Sequence, residues 1–99
     1  MNLRFTDDAK AEIQEARGFY AGTPARAGFN AELRRAAALL RERPLAGKPA
    51  GRVAREFVLP GAYPYSLIYH IDHDTVVVSA VAHHRRDPTY WRGQYGPEP

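Results

Sequence analysis

The sequence predicts an α+β fold in which an antiparallel sheet packs against a helix hairpin, a two-layer sandwich of the order β-α-α-β-β-β. Two segments of the first half carry apolar residues at helical spacing, and only two or three residues separate them. Segments of the second half alternate with a period of two, and the β-branched run from Thr75 to Ala82 is apolar enough to be a central strand. With 99 residues, we expect one domain over 1–99 with an ordered core over about 2–92.

The first elements are a short strand and a helix. Residues 2–5 have the alternating character of an edge strand. Helix one is predicted over 7–21, because Thr6 is a suitable N-cap and two aspartates follow in the first turn, where the helix dipole favours negative charge. Gly22 is expected to end it in a left-handed conformation. Its apolar face consists of Ala9, Ile13, Ala16 and either Phe19 or Tyr20.

The second helix is predicted over 24–43. Thr23 and Pro24 are typical of an N-cap and a first helical position, and Pro44 stops the helix. The connection to helix one is short, so the two helices must pack antiparallel. The apolar face of helix two consists of Phe29, Leu33, Ala36 and Leu40.

Three strands follow a Pro- and Gly-rich loop over 44–51. They are predicted over 53–59, 65–71 and 75–82, and short turns join them into an antiparallel meander. Alternation divides the middle strand into two faces. One face holds Tyr65, Leu67, Tyr69 and Ile71, and the other holds Ser66, Ile68 and His70.

Composition excludes several classes of protein. The chain has no cysteine, which excludes a disulfide scaffold, a thiolate metal site and a cysteine nucleophile. Its apolar runs are far shorter than the roughly 20 residues of a membrane-spanning helix. No basic segment followed by a long apolar one begins the chain, so no secretory signal is expected.

The formal charge of +3 comes from 12 arginines and two lysines against 11 acidic residues. The excess lies in the first half, mostly between Arg26 and Arg43. Such a charge favours a polyanionic or acidic partner. A solvated helix face with intrahelical ion pairs explains the same arginines without a partner, and for this helix it is the preferred interpretation.

The segment from His83 to Arg92 concentrates two imidazoles, three guanidinium groups and two aromatic rings. Arginines grip phosphates, aromatic rings stack on bases, and histidine is a general acid or base near neutral pH. The candidate catalytic residues of an RNase are His83, His84, Arg85, Arg86 and Tyr90. Equally, Tyr90 and Trp91 could pack back on the sheet while the arginines pair with carboxylates.

A metal site is not expected. Neighbours on an extended strand point to opposite faces, so His83 and His84 cannot easily share an ion. Asp72 and Asp74 flank His73 in a turn, where aspartates are common turn formers. The sequence shows no recognisable ligand spacing, and we expect no cofactor.

Three segments together resemble the RelE/ParE superfamily of bacterial type II toxins. They are Arg55–Phe57, Tyr63–Tyr69, which begins Tyr-Pro-Tyr, and Val81–Trp91, which contains His-Arg-Arg-Asp-Pro-Thr-Tyr-Trp. The sequence is most similar to the ParE branch, also described as plasmid-stabilisation proteins. The resemblance extends from Phe5 to Trp91.

The resemblance implies a small cytoplasmic toxin that a cognate antitoxin holds inactive in a hetero-oligomer. The antitoxin would lie across the helix hairpin and the sheet. An apolar surface with an arginine excess suits an acidic partner segment. The residues expected to bind it are Phe29, Leu33, Arg34, Arg41 and Arg55.

The resemblance leaves two activities open. RelE-type members cut mRNA on the ribosome with basic residues in the sheet, a late arginine and a C-terminal tyrosine. Here Arg85 or Arg86 and Tyr90 could fill the last two roles, but Ser66 stands where those enzymes carry a strand arginine. ParE-type members lack the nuclease set and are associated with inhibition of DNA gyrase.

We therefore expect a gyrase inhibitor that is not an enzyme. Its activity would depend on the C-terminal segment that contains Arg85, Arg86, Tyr90 and Trp91. An mRNA interferase is the alternative, and a non-toxic protein that only binds an antitoxin is the third hypothesis.

Overall fold

The computed structural model describes residues 1–85 and shows two helices on one face of a five-stranded sheet, which confirms the α+β fold. The predicted residues Arg86, Tyr90 and Trp91 lie outside the described part of the chain. The sheet order is β1-β5-β4-β3-β2, so β5 is an inner strand between β1 and β4, but the central strand is β4 and not β5 as expected. The elements are β1 Asn2–Phe5, α1 Asp7–Phe19, α2 Ala25–Glu42, β2 Lys48–Pro49, β3 Arg55–Val58, β4 Tyr65–Asp72 and β5 Thr75–His83.

The sheet is mixed, which corrects the expectation of a wholly antiparallel sheet. Strands β3, β4 and β5 form the predicted antiparallel meander, but β1 pairs with β5 in parallel, with Phe5 opposite Val78. Parallel pairing requires a long connection between the strands, and here the helix hairpin and the meander lie between them. Strand β2 lies within the predicted loop. Its Lys48 is opposite Glu56 in the ladder with β3, and the two side chains form a salt bridge.

The core lies between the helices and the sheet. The predicted helix faces are buried there, against alternate residues of β4 and β5. The sequence left open whether Phe19 or Tyr20 completes the apolar face of α1. In the structure Tyr20 packs against the core, whereas Phe19 is 71% exposed. The core consists of Ala9, Ile13, Ala16, Phe29, Leu33, Ala36, Leu40, Leu59, Tyr65, Leu67, Tyr69, Val76, Val78 and Val81.

The start of α1 agrees with the sequence, whereas its end and the start of α2 differ. Thr6 Oγ1 accepts a hydrogen bond from Ala9 N at 3.2 Å, as expected of the N-cap. The helix ends at Phe19 with Tyr20 as its C-cap, so Gly22 is left-handed, with a φ of +77°, in the connection and is not the residue that ends the helix. Pro24 precedes α2 without a side-chain cap. The predicted N-cap Thr23 instead donates its hydroxyl to Tyr20 O at 2.7 Å, so it satisfies the end of α1.

The second face of the sheet carries a smaller apolar cluster. Ile68, Ala80 and Ala82 pack there against Ala54. An irregularity between Ile68 and Tyr69 shifts the register with β5, so that Tyr69 pairs with Val78 while Ile68 pairs with Ala80. The shift changes the alternation along β5 and determines which residues at its end face the helices.

No helix in residues 1–85 is long and apolar enough to cross a bilayer.

Candidate functional site

The end of β5 and the start of β4 bring the described candidate residues to one corner of the sheet. His83 lies opposite Tyr65 in the antiparallel ladder. His84 continues from the strand into a turn, where its N–H donates to Pro64 O at 2.8 Å. Hydrogen bonding to the start of β4 therefore fixes the backbone of His83 and His84 at this corner, and Arg85 follows directly.

His83 lies on the helix side of the sheet and is half-buried. Its ring meets Tyr65 edge to face, with the centroids 5.0 Å apart. His83 Nδ1 accepts a hydrogen bond from Arg85 N at 3.0 Å, so in the neutral ring the proton is on Nε2. The tautomer and the orientation of this imidazole are thus both constrained.

His84 lies on the opposite side of the sheet and is exposed. Its Nε2 is 3.0 Å from the hydroxyl of Ser66, which is fully buried. One imidazole is therefore in contact with the helix face through Tyr65, and the other with the second face through Ser66. The sheet separates them, so they do not converge on one reacting bond.

A pocket of about 380 Å³ opens beside His83, between α1 and the end of β5. Glu12 and Glu15 contribute to it from α1, and Glu12 Oε1 accepts a hydrogen bond from Val81 N at 2.9 Å. Burial raises the pKa of the Tyr65 phenol, with further contributions from Tyr20 and from the Glu15 carboxylate. The pocket is lined by Glu12, Glu15, Ala16, Phe19, Tyr65, Val81, His83 and Arg85.

Sequence reasoning missed the two glutamates, which lie far from His83 along the chain. Their spacing of three residues does place both on one side of α1. What the spacing cannot show is that this side of the helix lies against the end of β5.

A groove of about 290 Å³ lies on the other flank of α1, between α1 and α2. Apolar side chains and three cations line it, and its lining includes no carboxylate. The lining residues are Phe5, Lys10, Ile13, Gln14, Arg17, Leu33, Arg34 and Ala37. Sequence analysis identified Leu33 and Arg34 here, but not the two cations of α1.

Three of the residues expected to bind a partner are buried or half-buried in the structure. Phe29 is fully buried in the core, so its side chain is not on a docking surface. It lies on the α2 face that packs on the sheet, which the helical pattern alone does not distinguish from a face for a partner. Leu33 is 6% exposed and lies at the floor of the groove. Arg55 is half-buried and donates to Gly47 O at 3.0 Å and Leu45 O at 3.2 Å, so its guanidinium holds a loop.

The two remaining arginines expected to bind a partner, Arg34 and Arg41, are exposed on α2. Within residues 1–85, neither is in an ion pair. Arg34 lines the groove, and Arg41 does not.

Among residues 1–85, no three histidine, aspartate or glutamate side chains are grouped as metal ligands. His73 Nδ1 is 2.7 Å from Asp72 Oδ1, in an exposed turn where His73 has a φ of +56°. This pair belongs to the β4–β5 turn and not to the strand-end site.

Comparisons with known proteins agree with the observed fold. The sequence matches the family described as "ParE toxin of type II toxin-antitoxin system, parDE" over residues 3–88. No curated protein sequence matches the chain. Among solved structures, the chromosomal ParDE toxin-antitoxin system from P. aeruginosa is similar with a TM-score of 0.73 and 17% identity, over 84% of this chain and 95% of the other. The isolated E. coli RelE toxin is similar with a TM-score of 0.62 and 21% identity, over 95% of both chains.

Proposed function

Because the chain belongs to the ParE toxin family of type II toxin-antitoxin systems, we propose that it acts by binding and inhibiting DNA gyrase and does not cut mRNA. The toxin role and the existence of a cognate antitoxin follow from the family. The choice of target rests on the chemistry at the end of β5. Because gyrase acts on DNA in the cytoplasm, the proposal also places the protein there.

The observation that carries the proposal is the environment of Ser66. RelE-type nucleases resemble this chain but carry an arginine at the corresponding strand position. Here the position is a neutral hydroxyl that is fully buried and 3.0 Å from His84 Nε2. Cleavage of a phosphodiester builds negative charge that an enzyme must stabilise with cations or oriented donors. A buried serine supplies no such charge.

The positions of the two histidines support the same conclusion. General acid–base cleavage needs both groups within reach of one phosphodiester. His83 contacts Tyr65 on the helix side, whereas His84 contacts Ser66 on the other side. Arg85 is exposed at this corner of the sheet, where its guanidinium is accessible to a protein partner.

A supercoiling assay tests the proposal. Purified protein is expected to inhibit gyrase at near-stoichiometric concentration, and pre-incubation with the cognate antitoxin is expected to abolish the inhibition. No inhibition at a large molar excess over gyrase would refute the choice of target. Mapping RNA 5′ ends in growth-arrested cells is the opposing measurement, since new ends in mRNA would support an interferase.

The neutralising partner is proposed to cover the helix hairpin and the free edge of β1. Among the strands of residues 1–85, β1 is at the end of the sheet order, so none of them pairs with its second edge. Such an edge accepts an added strand. Co-expression of the two proteins is expected to restore growth, whereas expression of the chain alone without any growth defect would favour the non-toxic hypothesis.

A further inference from the structure

We propose that the pocket beside His83 receives an arginine side chain of the target protein, which the carboxylates of Glu12 and Glu15 bind while the ring of Phe19 stacks on its guanidinium. This inference rests on the proposed binding of gyrase, and it specifies the chemistry by which the corner of the sheet recognises its target.

The charge of the pocket is opposite to that of the whole protein. Glu12 and Glu15 line it together with one guanidinium, that of Arg85, whereas the chain has a formal charge of +3. Within residues 1–85, neither glutamate forms a salt bridge with Arg85. A local negative charge on a basic protein favours a cationic group of a partner.

The two carboxylates of the pocket differ in how they are held. Glu12 Oε1 accepts a hydrogen bond from Val81 N at 2.9 Å, which fixes this side chain against β5. Glu15 is exposed, and its carboxylate forms no hydrogen bond or salt bridge within residues 1–85. One carboxylate is therefore positioned in advance, and the other is accessible to an incoming cation.

The exposed ring of Phe19 explains why the cation is an arginine. This apolar side chain is 71% exposed and lines the pocket, and its ring meets Tyr20 edge to face with the centroids 5.2 Å apart. A planar guanidinium stacks on an aromatic ring while its N–H groups donate to carboxylates, whereas the ammonium of lysine is a compact, strongly hydrated charge. The combination of ring and carboxylates thus favours arginine over lysine.

The size and the remaining walls of the pocket suit a single side chain. Its volume of about 380 Å³ is at the lower end of the range for ligand pockets. Tyr65 and Val81 are buried and contribute apolar surface for the methylene groups of an arginine. His83 Nδ1 already accepts from Arg85 N at 3.0 Å, so this imidazole is part of the wall and not a further acceptor for the guanidinium.

The first test measures gyrase inhibition by the full-length protein with the pocket carboxylates neutralised. Glu12→Gln/Glu15→Gln is expected to inhibit about 10- to 100-fold less well at low salt. A glutamine amide oxygen at position 12 can still accept from Val81 N, so the substitution removes charge and preserves the contact. The matched control is Asp8→Asn/Glu42→Gln, which changes the net charge equally at exposed positions outside the pocket. It is expected to stay within about threefold of the unchanged protein.

The second test separates stacking from simple apolar contact at Phe19. Phe19→Leu is expected to weaken inhibition by about three- to tenfold, because leucine keeps an apolar surface but has no ring face. Phe19→Tyr keeps the ring and is expected to remain within about twofold. Equal inhibition by these two variants would overturn the stacking and the choice of arginine.

The third test examines the pocket without gyrase. N-acetyl-arginine amide at millimolar concentration is expected to shift the NMR signals of the His83 and Tyr65 rings saturably. N-acetyl-citrulline amide, which has the same shape without the charge, is expected not to do so, and Glu12→Gln/Glu15→Gln is expected to lose the response to the arginine compound. Absence of a saturable shift in the unchanged protein would overturn the inference.

Two outcomes identify a different occupant or a different target. Residues 86–99 include Arg86 and Arg92, and tighter binding of the arginine compound to Arg86→Gln/Arg92→Gln would assign the pocket to the chain itself and overturn the inference. Selective binding of the compound without any gyrase inhibition by the unchanged protein would refute the target and leave the preference of the pocket for a guanidinium standing. Gyrase inhibition that the pocket variants retain at the level of the control would refute the inference and leave the target standing.

Discussion

The hydroxyl of Tyr69 shows how one polar atom in the core fixes a loop. The side chain is fully buried, and its oxygen donates to Pro44 O at 2.7 Å while accepting from Gly47 N at 2.8 Å. A Cβ at Gly47 would lie 2.7 Å from this oxygen, so the loop backbone can approach only because the residue is glycine. The sequence pattern predicts that Tyr69 is in the core, but not which backbone groups its hydroxyl reaches.

Replacing Tyr69 by phenylalanine is expected to lower the free energy of unfolding by about 1–3 kcal/mol, because Gly47 N and Pro44 O each lose a buried partner. Urea unfolding at neutral pH measures the change. The control is Tyr20→Phe, since the Tyr20 hydroxyl makes no hydrogen bond to the described residues. It is expected to cost less than about 0.5 kcal/mol. Equal losses in both variants would contradict the role given to the Tyr69 hydroxyl.

Two other tyrosines give the protein a predictable response to alkaline pH. Burial, followed by the charge of Tyr63, raises the pKa of Tyr20 above its ordinary value of 10.0, and burial is also the main cause for Tyr65. The folded state therefore holds these protons more tightly than the unfolded chain does. The stability they contribute is present below pH 10 and is lost as pH rises through the folded pKa values.

We expect the free energy of unfolding to decline above pH 10, and to decline less steeply in a Tyr20→Phe/Tyr65→Phe variant. Urea unfolding between pH 8 and 11 measures both slopes. An identical decline in the variant and the unchanged protein would assign the alkaline loss of stability to other groups.

At the scale of elements, β1 and the start of α1 together supply hydrogen bonds to the backbone of β5. Strand β1 ends at Phe5, and the following residue donates its N–H to Val78 O at 2.9 Å. The hydroxyl of Thr6 then donates to Ser79 O at 3.3 Å, and Glu12 Oε1 accepts from Val81 N at 2.9 Å. A short first strand suffices because side chains of the α1 N-cap and of α1 satisfy the next backbone groups of β5.

Thr6→Ala is expected to cost about 1–2 kcal/mol of unfolding free energy, because the substitution removes both the N-cap of α1 and the contact to Ser79 O. Thermal or urea unfolding provides the measurement. Thr23→Ala is the control, since that hydroxyl is exposed and within residues 1–85 forms a hydrogen bond only to Tyr20 O. A loss at Thr23 as large as at Thr6 would show that the link to β5 adds nothing.

At the scale of the whole molecule, α1 separates two surfaces. Residues 10, 13, 14 and 17 of this helix line the groove, and residues 12, 15, 16 and 19 line the pocket beside His83. A period of 3.6 residues places the two sets on opposite flanks of the helix. The proposed antitoxin groove and the proposed toxic corner are thus distinct places on one small protein.

The separation predicts that toxicity and antitoxin binding can be lost independently. Arg85→Ala is expected to reduce gyrase inhibition by about tenfold or more and to change antitoxin affinity by less than about threefold, because Arg85 lines the pocket beside His83 and does not line the groove between α1 and α2. Arg52→Ala is the matched control for both assays. Parallel loss of the two activities in Arg85→Ala would show that the surfaces overlap.

Local patterns were sufficient for every element of the described chain except β2, and for the buried faces of both helices apart from the choice between Phe19 and Tyr20. The apolar faces of both helices and the alternation along β4 were predicted, because helical and extended backbones repeat every 3.6 and every two residues whatever they pack against. The segments that resemble the ParE branch also predicted the family correctly, since the ParE toxin family matches the chain over residues 3–88.

Only the tertiary structure decided which elements meet and what their buried faces contact. The direction of β1 beside β5 depends on a connection that spans most of the chain, and the register shift next to Tyr69 settles that His83 faces the helices while His84 is exposed. The placement of Glu12 beside His83, and of Lys10 and Arg17 opposite Arg34, likewise joins distant parts of the chain. Sequence periodicity describes one element at a time, whereas each of these contacts arises from the packing of two.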